Sequence, residues 1–171
     1  MSPPIPKVPT KAQPNQAKRA TIAMVLALTI AKPAEGLYHV AYYDPPGILT
    51  VCYGTTGPEV VKGKRYTLAE CDAFINDDMR AAIAEVEACA PGLPVPVLAA
   101  FADAVYNLGG RIACDKKSST AARYLAAGKL VEACNQLPRW NKASVMGVMT
   151  PLRGLTKRRT DERNLCLQGA A

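Results

Sequence analysis

"EGLYHVAYYDPPGILTVCYGTTG", residues 35–57, decides the fold of this chain. From Val40 to Thr56 it is rich in Tyr, Val, Ile and Thr around the turn residues "DPPG", Asp44 to Gly47, and predicts two short strands in a small hairpin or meander. Two carboxylates, Glu35 and Asp44, bracket an aromatic patch of Tyr38, Tyr42 and Tyr43, and Thr50 begins the returning strand. Two acids so placed suit glycosidic hydrolysis, in which a protonated carboxyl serves the leaving oxygen and an ionised one works from the opposite side. A Glu packed against apolar residues would keep its proton, and an Asp on an open turn would lose it. Asp is equally a favoured turn residue, Thr a natural strand residue, and a Glu beside Lys32 an ordinary surface charge, so the residues alone leave both readings open.

Immediately upstream lies "ATIAMVLALTIA", Ala20 to Ala31, without a charge. As a helix it would span about 18 Å, short of the roughly 30 Å hydrocarbon core of a bilayer. A signal-like apolar region, a marginal membrane anchor and a buried core helix all fit, and Thr29-Ile30-Ala31 offers small residues of the kind a signal peptidase reads. Residues 1–19, "MSPPIPKVPTKAQPNQAKR", are expected to form an extended or disordered basic leader. Lys7, Lys11, Lys18, Arg19 and Lys32 account for most of the net charge of +7, with no acid before Glu35. A basic tail beside an apolar run points to a membrane. Nucleic acid is not an expected partner, because the two Phe, one Trp and seven Tyr do not interleave with Lys or Arg.

Downstream, "TLAE" at Thr67 to Glu70 is a capping box. Leu68, Cys71, Ile75, Met79, Ile83 and Val86 continue it as a helix of about twenty residues reaching "CAPG". Beyond Pro91-Gly92 the chain reads as wholly helical. Pro96 opens one helix that Gly109-Gly110 stop, Ser118 or Ser119 caps another, Lys129 to Leu137 form a third, and Leu155 to Gln168 form the last. The basic cluster Arg153 to Arg163, broken by Asp161 and Glu162, reads first as a solvated helix face and second as a surface for an anionic polymer. The fold class is α+β, mostly α. Cys52, Cys71, Cys89, Cys114, Cys134 and Cys166 contain no C-x-x-C pair and His39 is the only histidine, so no metal site and no cofactor are expected. Three disulfides from an oxidising compartment fit the even count, buried thiols are the alternative, and the pairing stays open.

Glu35, Asp44 and Thr50, spaced nine and six residues apart and followed by "YGTTG", resemble the signature of the phage lysozymes, glycoside hydrolase family 24. The similarity continues through "YTLAECDAFINDDM" (66–79), "FADAVYNLGG" (101–110), "ACNQLPRWNKA" (133–143) and "GLTKRRTDERNLCLQG" (154–169). The resemblance implies a lysozyme-like two-lobed fold, with a small β-hairpin lobe, a long connecting helix and a helical lobe spanning 35–171. It also implies a muramidase that cleaves the β-1,4 bond between N-acetylmuramic acid and N-acetylglucosamine in peptidoglycan. Glu35 would be the general acid. Asp44 would orient the attacking water and stabilise positive charge, and Thr50 would help hold that water. Asn107 and Arg139 match helical-lobe positions and are candidate substrate contacts, although core packing and a surface ion pair account for them equally well. Cys89 is expected to pair with Cys114 at the lobe junction.

The chain departs from the family after Arg139-Trp140, where "NKASVMGVMTPLRGLTKRR" lacks the paired glycines and carries extra residues, so a rebuilt turn is expected there. The N-terminus resembles the signal-anchor-release subgroup, in which residues 20–34 would engage the host secretion machinery and inner membrane. The enzyme would wait inactive at the inner membrane, facing the periplasm, and then be released into the periplasm as a monomer. No cysteine lies between Ala20 and Ala34, so activation is expected by refolding of the released segment. The alternative is a non-catalytic peptidoglycan-binding or membrane-tethered protein.

Overall fold

The computed structural model describes residues 14–44 and 47–170. The first thirteen residues of the basic leader, and Pro45-Pro46 of the turn, lie outside them. The apolar run forms the middle of one helix, α1 (Pro14–Glu35), so residues 14–19, expected as part of an extended leader, are helical instead. Ala23, Ala27 and Ala31 recur every fourth residue, which places them on one helix face, and all three are fully buried. That small-residue face packs on α2 (Leu68–Cys89) and α3 (Val95–Leu108), while Ile22 and Val25 on the other side stay exposed. Gly36, in the left-handed region at φ 75°, ends α1 directly after Glu35 and turns the chain into the sheet. No helix among the described residues is long and apolar enough to cross a membrane.

The opening stretch forms an antiparallel meander of β1 (Tyr38–Tyr43), β2 (Leu49–Cys52) and β3 (Thr55–Thr56). Tyr42 pairs with Thr50 and Tyr43 with Leu49, and a register irregularity lies between Tyr38 and Tyr42. The expected capping box is present at the head of α2. Thr67 Oγ1 accepts the Glu70 N–H at 3.2 Å, and the Glu70 carboxylate accepts the Thr67 N–H at 2.8 Å. Lys64 first, and then Thr67, hold the Glu70 carboxyl down at about 2. Thr67→Ala is expected to lower stability by about 1 kcal/mol with activity unchanged, as read by urea denaturation.

α3 is the central helix, buried continuously from Val97 to Val105. α4 (Arg111–Cys114), α5 (Thr120–Ala126), α6 (Leu130–Cys134) and α7 (Arg153–Ala170) complete the helical lobe, with α7 packed along α3. Ser119, not Ser118, caps α5 by accepting the Ala122 N–H. The helix expected over Lys129 to Leu137 splits into α6 and a single 3-10 turn, Leu137–Arg139. All six cysteines are paired. Cys52–Cys71 ties the meander to α2, Cys89–Cys114 joins α2 to α4 as expected, and Cys134–Cys166 joins α6 to α7.

The expectation of a wholly helical chain beyond Gly92 fails at one place. β4 (Lys142–Val145) and β5 (Val148–Pro151) form a second antiparallel hairpin where the rebuilt turn was expected. Its tip, Met146-Gly147, has φ of 50° and 83°, the positive pair of a type I′ turn, which matches the strand twist of a two-residue hairpin. Val145, Val148 and Thr150 supply β-branched side chains on both arms. The Met in place of the usual Asn hid this turn from the sequence pattern.

Candidate active site

Glu35 is the last residue of α1, and its side chain is 24% exposed. It lines two hollows at once. One, of about 490 Å³, lies between the meander and the helices α2 and α3, and includes Tyr53, Thr55, Glu59, Asp78, Tyr106 and Asn107. The other, of about 530 Å³, runs between the end of α1 and α7, beside Thr29, Ile30, Pro33, Leu152, Lys157 and Arg158. The carboxylate therefore stands at the junction of the β lobe and the helical lobe.

Asp44 closes the turn between β1 and β2. Its Oδ1 accepts the Ile48 N–H at 2.7 Å, its backbone N–H bonds to the Ile48 carbonyl, and its Oδ2 lies 3.5 Å from Thr50 Oγ1. Thr50 is buried and donates to the Ile48 carbonyl at 3.1 Å, which fixes its rotamer beside Asp44. Tyr42 connects the two acids electrostatically. Burial first, then Tyr38, and then the charges of Asp44 and Glu35 push its hydroxyl above the usual range. One ring thus feels both carboxylates, and the β1 strand carries it between them.

The expected apolar surroundings of Glu35 are not what the carboxylate meets. Arg158 Nη1 donates to Glu35 Oε1 at 2.5 Å, while Lys32, the neighbour in sequence, is drawn away to Asp72 at 2.7 Å. Arg158 in turn grips the fully buried Asp103 with two bonds, Nε to Oδ2 at 3.0 Å and Nη2 to Oδ1 at 2.8 Å. Burial opposes its charge, but the hydrogen bonds to Asp103 and then Glu35 outweigh it, and the guanidinium is held above its ordinary range. Asp103, Arg158 and Glu35 thus link α3, α7 and α1 at the base of the cleft.

The basic cluster on α7 is only in part a solvated face, since Arg153 and Lys157 are exposed while its middle turns inward. Arg158, Arg159 and Glu162 are buried, with Arg159 donating to Glu162, whereas Lys157 and Thr160 face outward. Burial, reinforced by Asp103, pushes the Glu162 carboxyl well above the carboxylate range. The sequence held a signal for this arrangement, since Asp103 is the only charge in the apolar run "VPVLAAFADAVYNL". An acid there requires a buried cation.

Asn107 lies beside Glu35 in both hollows, and its Oδ1 is buried without a hydrogen-bond partner among the described residues. Tyr106 donates to the Tyr53 carbonyl at 2.9 Å and ties α3 to the meander. Arg139 is placed elsewhere. It bonds Gln136 Oε1 at 3.0 Å and lines a separate hollow of about 290 Å³ with Trp140, Thr120 and Ser118. Among the described residues, no group of His, Cys, Asp and Glu is arranged to hold a metal ion.

A family model described as phage lysozyme matches residues 32–162. The SAR-endolysin of Bacteriophage PS119 is 37% identical over 136 residues, covering 79% of this chain and 77% of that protein. Among solved structures, an endolysin from Escherichia coli O157:H7 phage FAHEc1 superposes with a TM-score of 0.74 at 27% identity, over 83% of this chain and 90% of that one. The active form of P1 phage endolysin Lyz gives 0.67 at 28% identity, over 91% and 94%. The matched segment begins in the last turn of α1 and ends at the buried Glu162, so it encloses Glu35, Asp44, Thr50, Asp103 and Arg158 together: the chain belongs to the phage lysozyme family.

Proposed function

We propose that the protein is a muramidase cleaving the β-1,4 bond between N-acetylmuramic acid and N-acetylglucosamine in peptidoglycan. The observation that carries this is the placement of Glu35 at the junction of two open hollows, supported by Asp44 and Thr50 held 3.5 Å apart on the β1–β2 turn, outside the linings of both. A glycan threaded past Glu35 meets a carboxyl that, in its protonated form, can donate to the leaving oxygen. Asp44, held on its turn by the Ile48 N–H, orients water with Thr50 and offsets positive charge at the anomeric carbon, with inversion as the outcome. The unpartnered Asn107 Oδ1 offers an acceptor for a sugar N–H or O–H. Arg139, outside both hollows, enters no step.

The proposal extends to control. Residues 20–34 tether the chain to the host inner membrane after export, and their release lets α1 dock and bring Glu35 to the cleft. Support comes from the position of Glu35 at the end of α1, whose buried face is alanine only, and from the SAR-endolysin name of the relative. An uncharged run of only twelve residues, Ala20 to Ala31, is shorter than a bilayer's hydrocarbon core and makes a marginal anchor. The test is expression with the native N-terminus in a Gram-negative cell, followed by fractionation. Activity should sediment with membranes and become soluble when the membrane potential is collapsed, and digested walls should yield muropeptides with reducing N-acetylmuramic acid ends. Protein soluble and active throughout sinks the tether and spares the muramidase; absence of those ends sinks the muramidase.

A further inference from the structure

The β4–β5 hairpin breaks two rules of a solvated tip. Around the tip the large exposed side chains are apolar: Val145 is 43% exposed, Met146 100%, Val148 65% and Met149 61%. Met146 also occupies the left-handed region, where a side chain with a bulky Cβ substituent is disfavoured and Asn or Gly is the ordinary choice. The base, by contrast, is clamped. Leu152 N–H bonds the Asn141 carbonyl at 3.0 Å and Asn141 Nδ2 donates to Thr156 Oγ1 at 3.0 Å. A firm root with a strained, greasy tip is a finger built for a non-aqueous contact.

Charge identifies the contact. No acid occurs between Glu132 and Asp161, while Arg139, Lys142 and Arg153 at the hairpin's flanks are exposed and form no ion pair among the described residues. A second copy of the chain would bring the same cations against them, which disfavours self-association. An anionic phospholipid surface accepts both features, apolar tip into the acyl boundary and basic flanks at the headgroups. The root also adjoins α1, because Leu152 shares a hollow with Thr29, Ile30 and Pro33. We propose that residues 142–151 form a lipid-contacting finger that docks the enzyme on anionic bilayer surfaces, independently of any tether through α1.

The test uses the purified full-length chain with vesicles containing phosphatidylglycerol and vesicles of phosphatidylcholine alone. Wild type should co-sediment with the anionic vesicles and leave them at high salt. The double variant Met146→Asn, Met149→Ser should bind about tenfold more weakly, and Lys142→Ser about fivefold more weakly. Asn is favoured at the left-handed position, so Met146→Asn should hold or raise the melting temperature, which separates lost binding from lost folding. A bilayer contact made through α1 alone survives these substitutions. Unchanged binding by the double variant therefore overturns the finger and leaves the α1 reading standing. Equal binding to neutral vesicles overturns it, as does a concentration-dependent dimer that the double variant abolishes in the absence of vesicle binding.

Discussion

Glu35→Gln is expected to reduce wall-clearing activity by about a hundred- to ten-thousandfold, the range for loss of a general acid, while leaving the fold intact. Gln keeps the length of the side chain and an oxygen that can accept from Arg158 Nη1, so the link between α1 and α7 persists. What it lacks is a proton to give to the leaving sugar oxygen. The measurement is turbidity clearing of permeabilised Gram-negative walls beside a thermal melt of the same preparation. Retention of more than about a tenth of the activity in a normally folded variant would remove Glu35 from the acid role. The same variant should still sediment with purified walls, because the hollows proposed to receive the glycan keep their other walls in Tyr53, Thr55, Asn107 and Leu152.

The turn from Asp44 to Thr50 was legible as a turn because local rules write it. A Glu followed by Gly marks a helix stop, and Asp at the head of a proline-containing turn brings its carboxylate back to the Ile48 N–H and the Thr50 hydroxyl within six residues. The capping box at Thr67 is equally local. Two things were not legible, for different physical reasons. The hairpin at 142–151 rests on a tip residue that its backbone conformation disfavours, so propensity argued against the structure formed. The α7 charges were read as solvated because sequence shows a residue's charge but not its partner. Arg158 is separated from Asp103 by 55 residues and from Glu35 by 123, and only the packing of α7 along α3 brings them together. The disulfides belong to the same class, since chain separation alone does not select Cys52–Cys71 or Cys134–Cys166.

Arg158→Met is expected to lower stability by about 3–5 kcal/mol, a large share of the roughly 5–15 kcal/mol that holds a domain of this kind. The loss comes less from the attraction removed than from what is left behind. Asp103 would stay at zero exposure, stripped of the two hydrogen bonds at 3.0 and 2.8 Å that hold its charge. Replacing both partners separates that penalty from the positioning of Glu35. Asp103→Leu, Arg158→Met removes the orphaned carboxylate and should recover most of the stability, because a buried pair exchanged for apolar groups of similar volume is often neutral. Activity should not follow, since Glu35 Oε1 has still lost the donor that aims it into the cleft. Arg158→Lys should behave differently again, as one ammonium cannot serve Asp103 bidentately and reach Glu35 at once. Urea midpoints and kcat/KM on cell walls, measured for all three, give the two quantities apart. A double variant no more stable than Arg158→Met would show that the guanidinium contributes packing instead of charge balance. A double variant that regained full activity would show that Glu35 is aimed by the docking of α1 alone.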